Sequence, residues 1–105
     1  MQLANVPFGN YKQGRDNYCF GERYCYLGVL AKHAGLNVGT QLFTDGTGRE
    51  VYALDVLRKY EEFQRLPHHE LVKFPAHIVT MNDDEGKTFD EITARILERI
   101  DAETK

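Results

Sequence analysis

Tryptophan is absent from this chain of 105 residues, cysteine occurs only twice and proline three times. The aromatic content therefore rests on six tyrosines and six phenylalanines. Two cysteines are too few for a disulfide framework, and Cys19 and Cys25 are expected to be free thiols in a reducing compartment. No stretch approaches the roughly 18 apolar residues that a membrane-spanning helix needs, so no membrane partner is expected. The start, "MQLANVPFGNY", has neither a charged n-region nor an apolar h-region. A cytoplasmic protein is expected. Charge of one sign is lacking too: thirteen basic against sixteen acidic side chains give a net charge of −3. That balance excludes broad nucleic-acid binding, which rests on many phosphate contacts. It leaves room for a local basic patch that holds a small anion.

What is present is ordinary globular composition, 42% hydrophobic and 28% charged, without repeats or linkers. The length suits a single domain over residues 1–105. Residues 1–22 read as irregular, broken by Pro7, Gly9, Gly14 and Gly21. Residues 23–34, "RYCYLGVLAKHA", read as a first helix with Tyr24, Leu27, Ala31 and Ala34 on one face and Gly35 as its left-handed cap. Gly28 is costly inside a helix, by about 1 kcal/mol relative to alanine, and predicts close approach of a backbone or ring. Residues 38–52 read as a hairpin turned by "TDGTG", or as a loop, because the alternation is poor. Residues 53–65 read as a second helix, "HHELVKF" as a short third one ending before Pro75, and "AHIVTMN" as a helical turn or strand. "TFDE", residues 88–91, is a capping box that opens a helix over 89–101 with Phe89, Ile92, Ile96 and Ile100 as its apolar stripe. The expected fold class is α+β, mainly α, with three or so helices and a short β-hairpin. The first and last helices would pack through Tyr24, Leu27, Ala31, Ile92, Ile96 and Ile100.

Catalytic and metal chemistry find little support. Zinc ligands usually stand two to four residues apart, and Cys19 and Cys25 have five between them. Cys25 and His33 lie two turns apart on the first helix, about 12 Å at 1.5 Å per residue, too far for a hydrogen bond. "NDDEG" fails as a calcium loop, because the register that sets Gly86 sixth puts Met81 first and Ile92 twelfth. No glycine run has the ending or setting of a phosphate loop. No catalytic residue, metal or cofactor is expected. "YKQGR" and "GERY" remain: Tyr11, Lys12, Gln13, Arg15, Tyr18 and Arg23 are the candidate ligand-binding residues, with Phe20 nearby. Aromatic faces stack on bases and cations hold phosphates, so these types suit a small anionic or nucleotide-like ligand. The competing reading, favoured by composition, is that the tyrosines fill the core and the cations are solvated.

"YKQGR…RYCYLGVLAKHAG" together with "MNDDEGKTFDEITARI" resembles a family of small uncharacterised proteins of tailed phages and prophages, with the motifs "YKQG", "CCLGVL" and "LND-G-SF-EIA". The match spans roughly residues 11–35 and 81–97. Tyr26 stands where the second cysteine of the pair would be, and Met81 replaces the leucine. The resemblance implies a phage protein in the cytoplasm of an infected host cell. It favours a non-enzymatic, counter-defence role that binds, and so sequesters, a nucleotide-derived host signal. The alternatives are a protein-binding inhibitor of a host enzyme or defence protein, and a thiol- or metal-dependent enzyme using Cys19, Cys25 and the histidines. The expected site is an anion-binding mouth at the N-terminal end of the first helix. So short a chain encloses little by itself, which points to a homo-oligomer.

Overall fold

A computed structural model describes residues 1–104. Two single-turn 3-10 helices, Leu3–Asn5 and Phe8–Asn10, lead into a small sheet of β1 (Lys12–Gln13), β2 (Cys19–Phe20) and β3 (Arg23–Tyr24). Helix α1 (Tyr26–His33) follows, then a second sheet of β4 (Asn37–Val38), β5 (Phe43–Thr44) and β6 (Glu50–Val51). The rest is helical: α2 (Ala53–Leu57), α3 (Glu61–Gln64), α4 (His68–Leu71), α5 (Phe74–Val79), a π turn (Thr80–Asp84) and α6 (Phe89–Glu103). Three helices and one hairpin were therefore too few: the described residues form six α-helices and two three-stranded sheets. No helix among them is long and apolar enough to cross a membrane.

The missed elements are short. Strands of two residues show no alternation, and helices of four or five residues show barely one turn of period. The expected second helix breaks at Tyr60, whose backbone is extended (φ −106°, ψ 131°). Its ring is fully buried and its hydroxyl donates to the Leu30 carbonyl. The break frees the Glu61 N–H to donate to the Met1 carbonyl at 2.7 Å, while the Glu62 carboxylate accepts from the Leu3 N–H at 2.9 Å. The N-terminal segment thus docks into the gap. Pro75 does not end a helix but sits in the first turn of α5, where its missing N–H costs nothing.

Helix α1 starts at Tyr26, not residue 23, because Arg23 and Tyr24 are taken up as the central strand β3. It is not amphipathic. Every residue from Tyr26 to Ala31 is buried, so α1 is the axis around which the other elements pack. It ends as a Schellman motif: Gly35 at φ +86° lets its N–H reach the Lys32 carbonyl and the Leu36 N–H reach that of Ala31. Gly28 meets the expected close approach, from the backbone of Tyr18; a Cβ built there would lie 2.1 Å from the Tyr18 carbonyl oxygen.

The C-terminal helix has both arms of its capping box, with the Thr88 hydroxyl accepting from the Glu91 N–H and the Glu91 carboxylate from the Thr88 N–H. Phe89, Ile92, Ile96 and Ile100 are buried. α6 lies mainly on α3 and the π turn. It reaches α1 through Tyr26, whose hydroxyl bonds Thr93 at 2.8 Å and whose ring stacks on Phe8. The hairpin reading of 38–52 holds for β5 and β6. Asp45 accepts from the N–H groups of Thr47 and Arg49 to close the turn.

Candidate functional site

The start of α1 is the most elaborated part of the molecule, and two of its free N–H groups, those of Tyr26 and Gly28, are already taken. The Cys25 sulfur accepts from the Gly28 N–H at 3.4 Å. From the π turn, Asn82, 1% exposed, takes the Tyr26 N–H. Its Oδ1 accepts from the Tyr26 N–H at 3.2 Å and from the Gln13 amide at 2.9 Å, and its Nδ2 donates to the Gly14 carbonyl at 2.8 Å and to Asp83 at 2.7 Å. All four hydrogen-bonding positions of one buried amide are therefore used. The π turn makes this possible. The Glu85 N–H bonds the Thr80 carbonyl five residues back, and the wider turn brings both Met81 and Asn82 inside.

Beside this hub is a half-enclosed cleft of about 150 Å³. Asp16, Thr40, Gln41 and Asp83 give it polar walls, Ile78 and Val79 an apolar one, and the buried Cys25 and Asn82 also border it. Asp16 has a φ of +69°, a conformation that aspartate and asparagine tolerate better than other residues with a side chain. Its carbonyl accepts from the Gln41 amide at 3.4 Å, which ties the two loops together. Burial, with Asp83 nearby, pushes the Cys25 thiol up to about 11, so it is neutral at physiological pH. A neutral, buried thiol is a poor nucleophile. Among the described residues, no three of His, Cys, Asp and Glu converge as metal ligands.

A cleft does lie at the N-terminal end of α1, but it is not the expected cationic mouth: Asp16 and Asp83 border it, and no lysine or arginine does. Of the six candidate residues only Tyr18 borders it, its ring stacked on Phe43 at 4.1 Å and its hydroxyl pKa raised mainly by burial. Gln13 is absorbed in the Asn82 network. The Arg15 guanidinium lies against Gly86, where an added Cβ would be 2.7 Å from Nη2. Tyr11 meets Tyr24 edge-on at 5.1 Å.

The remaining two, Lys12 and Arg23, come together elsewhere. They are register partners across β1 and β3, and Phe20 is the partner of Arg23 across β3 and β2. Residues paired in register share a face of the sheet. Lys12, Arg23 and Phe20 therefore form one outward row, while Gln13, Tyr24 and Cys19 form the half-buried inner one. Phe20 is 70% exposed. Arg23 leans over β1, donating to the Gln13 carbonyl at 3.1 Å, which Gly14 permits: a Cβ there would be 2.8 Å from the Arg23 Cβ. Lys12 pairs with Glu22 at 3.6 Å, both exposed. A shallow groove of about 400 Å³ runs past Tyr11, Lys12 and Tyr24 at the edge of this row.

Asn82, Asp83 and Asp16 were missed as site residues. "NDDE" reads locally as a polar turn, and nothing in its spacing signals that Asn82 points inward to a helix start 56 residues earlier. No protein-family model, curated protein or solved structure matches the chain.

Proposed function

We propose that the chain is a binding protein, and that it takes up a small nucleotide-derived anion on the outer face of the β1–β3–β2 sheet. One observation carries the reading: register sets Lys12, Arg23 and the exposed ring of Phe20 in a single row. Two cations suit a phosphate, and a ring open to solvent on one side suits a base. Arg23 makes no ion pair among the described residues, and one backbone acceptor occupies only part of its donor set. The Lys12–Glu22 pair is exposed, and exposed pairs of this kind contribute little, so a phosphate displaces Glu22 at small cost. The adjoining groove has the volume of a drug-sized ligand, within the roughly 300–1,000 Å³ usual for such sites. The resemblance to small tailed-phage proteins supplies a setting in which holding such a molecule withdraws a signal from the host.

Native mass spectrometry of the protein taken from infected cells should show a retained small molecule. Arg23→Glu and Phe20→Ala should each weaken nucleotide binding at least tenfold, about 1.4 kcal/mol. Arg15→Glu should leave it within about threefold, well under that margin, since its guanidinium lies against Gly86 and Arg15 is not part of the row. A parent protein that binds no nucleotide, or binding that survives both substitutions in the row, refutes the reading. Recovery of a stoichiometric protein in place of a small molecule would favour the inhibitor of a host protein.

A further inference from the structure

We propose that the β1–β3–β2 face takes a nucleoside diphosphate in preference to a monophosphate, with Lys12 holding the second phosphoryl group and Glu22 limiting the preference; the proposal rests on the nucleotide reading of that face. Spacing sets the first limit. Phe20 stands on β2 and Lys12 on β1, with β3 between them. Two steps of about 4.8 Å make roughly 10 Å from the strand with the ring to the strand with the ammonium group. Arg23 stands on β3, but its guanidinium leans over β1 to the Gln13 carbonyl. Both cationic groups are thus set toward β1, away from the ring. A monophosphate stacked on Phe20 carries its one phosphoryl group a ribose away from the base, over β3, within reach of Arg23 but short of Lys12. A second phosphoryl group extends the ligand toward Lys12.

Charge sets the second. Of the residues that border the groove beside the row, Lys12 and Glu22 carry the charge. They pair at 3.6 Å, with side chains 68% and 87% exposed, so in the free protein the Lys12 charge is offset. A monophosphate held by Arg23 leaves that pair in place and gains nothing from Lys12. A diphosphate takes Lys12 over, and an exposed pair costs little to break. The displaced carboxylate does not go far. Gly21, at φ +63°, and Glu22 are the whole turn between β2 and β3. The Glu22 backbone is therefore fixed beside the ligand, and its charge repels the added phosphoryl group well within the screening length. Glu22 thus lowers the advantage of a second phosphoryl group and acts far less on the first.

The test is calorimetry with adenosine monophosphate and adenosine diphosphate at low ionic strength, where exposed charges are least screened. Every base has a face to stack, so adenine serves as the probe. The diphosphate should bind at least about tenfold tighter than the monophosphate. Lys12→Gln should close that gap to within about threefold by weakening the diphosphate. Glu22→Gln should widen it by about threefold or more by tightening the diphosphate. Both side chains are exposed, so the urea midpoints of the two variants should match the parent's. Equal affinities for the two nucleotides, a gap that survives Lys12→Gln, or a gap unmoved by Glu22→Gln would each overturn the proposal. If Arg23→Glu and Phe20→Ala still weaken both nucleotides in that event, the nucleotide reading of the face stands and this inference alone falls. A parent protein that binds neither nucleotide ends both.

Discussion

Replacing Gly28 with alanine sets two effects of opposite sign against each other. In an exposed helix the change stabilises, by about 1 kcal/mol, because alanine loses less backbone entropy. Here the new methyl would stand 2.1 Å from the Tyr18 carbonyl oxygen and 3.0 Å from its carbon. Those atoms are backbone and cannot swing aside. The same carbonyl accepts from the Cys25 N–H at 3.1 Å, the Tyr18 N–H is held by the Thr40 carbonyl at 2.9 Å, and the Tyr18 ring is stacked on Phe43. Relief requires the β1–β2 loop to move off α1. Overpacking of this kind costs about 1–3 kcal/mol, and the stretched Cys25 bond forfeits about 0.5–1.5 kcal/mol more. The loss exceeds the propensity gain, leaving a net destabilisation of about 1–3 kcal/mol, or at least about 4 °C in melting temperature for a domain of this size. Urea melts with an unchanged m-value measure it, and Gly9→Ala, with nothing within 4 Å of its added methyl, is the control, expected within about 0.5 kcal/mol of the parent. A Gly28→Ala protein as stable as the parent, or more so, would show that the Tyr18 carbonyl does not lie over α1.

Asn82→Leu should cost at least about 3 kcal/mol in urea melts, because it strands the Tyr26 N–H, the Gln13 amide and the Gly14 carbonyl. Thr88→Ala should cost about 0.5–2 kcal/mol by chemical denaturation. The Thr88 backbone N–H, then its hydroxyl, hold the Glu91 carboxyl below its ordinary value of 4.5. A depressed folded pKa means that this contribution is complete above the ordinary value and is lost as the pH falls through the folded one. Glu91→Gln should accordingly flatten the acid limb of stability against pH; an unchanged limb would show that the box does not form.

Much of the local chemistry is legible in the sequence. The capping box at Thr88, the left-handed glycine that ends α1 and the crowding at Gly28 each follow from a few neighbouring residues. The boundaries that went wrong did so where a distant partner outbid local preference. Arg23 and Tyr24 have helical spacing with the residues after them, yet pair with Lys12 and Gln13. Tyr60 continues a helical period, yet turns extended so that its hydroxyl reaches Leu30.

The candidate sites divide in the same way. Sequence alone determined that cations and aromatics crowd the approach to α1, because composition over a short stretch needs no fold to be read. Only the tertiary structure decided which of them meet. Pairing in register turned Lys12 and Arg23 outward beside Phe20 and sent Gln13 inward to Asn82. It also decided the sign of the cleft, since Asp83 reaches the start of α1 only because the π turn folds back across the chain. Side chains one turn apart interact through local geometry that periodicity records. Contacts across dozens of residues depend on how the whole chain closes, which leaves no period in the sequence.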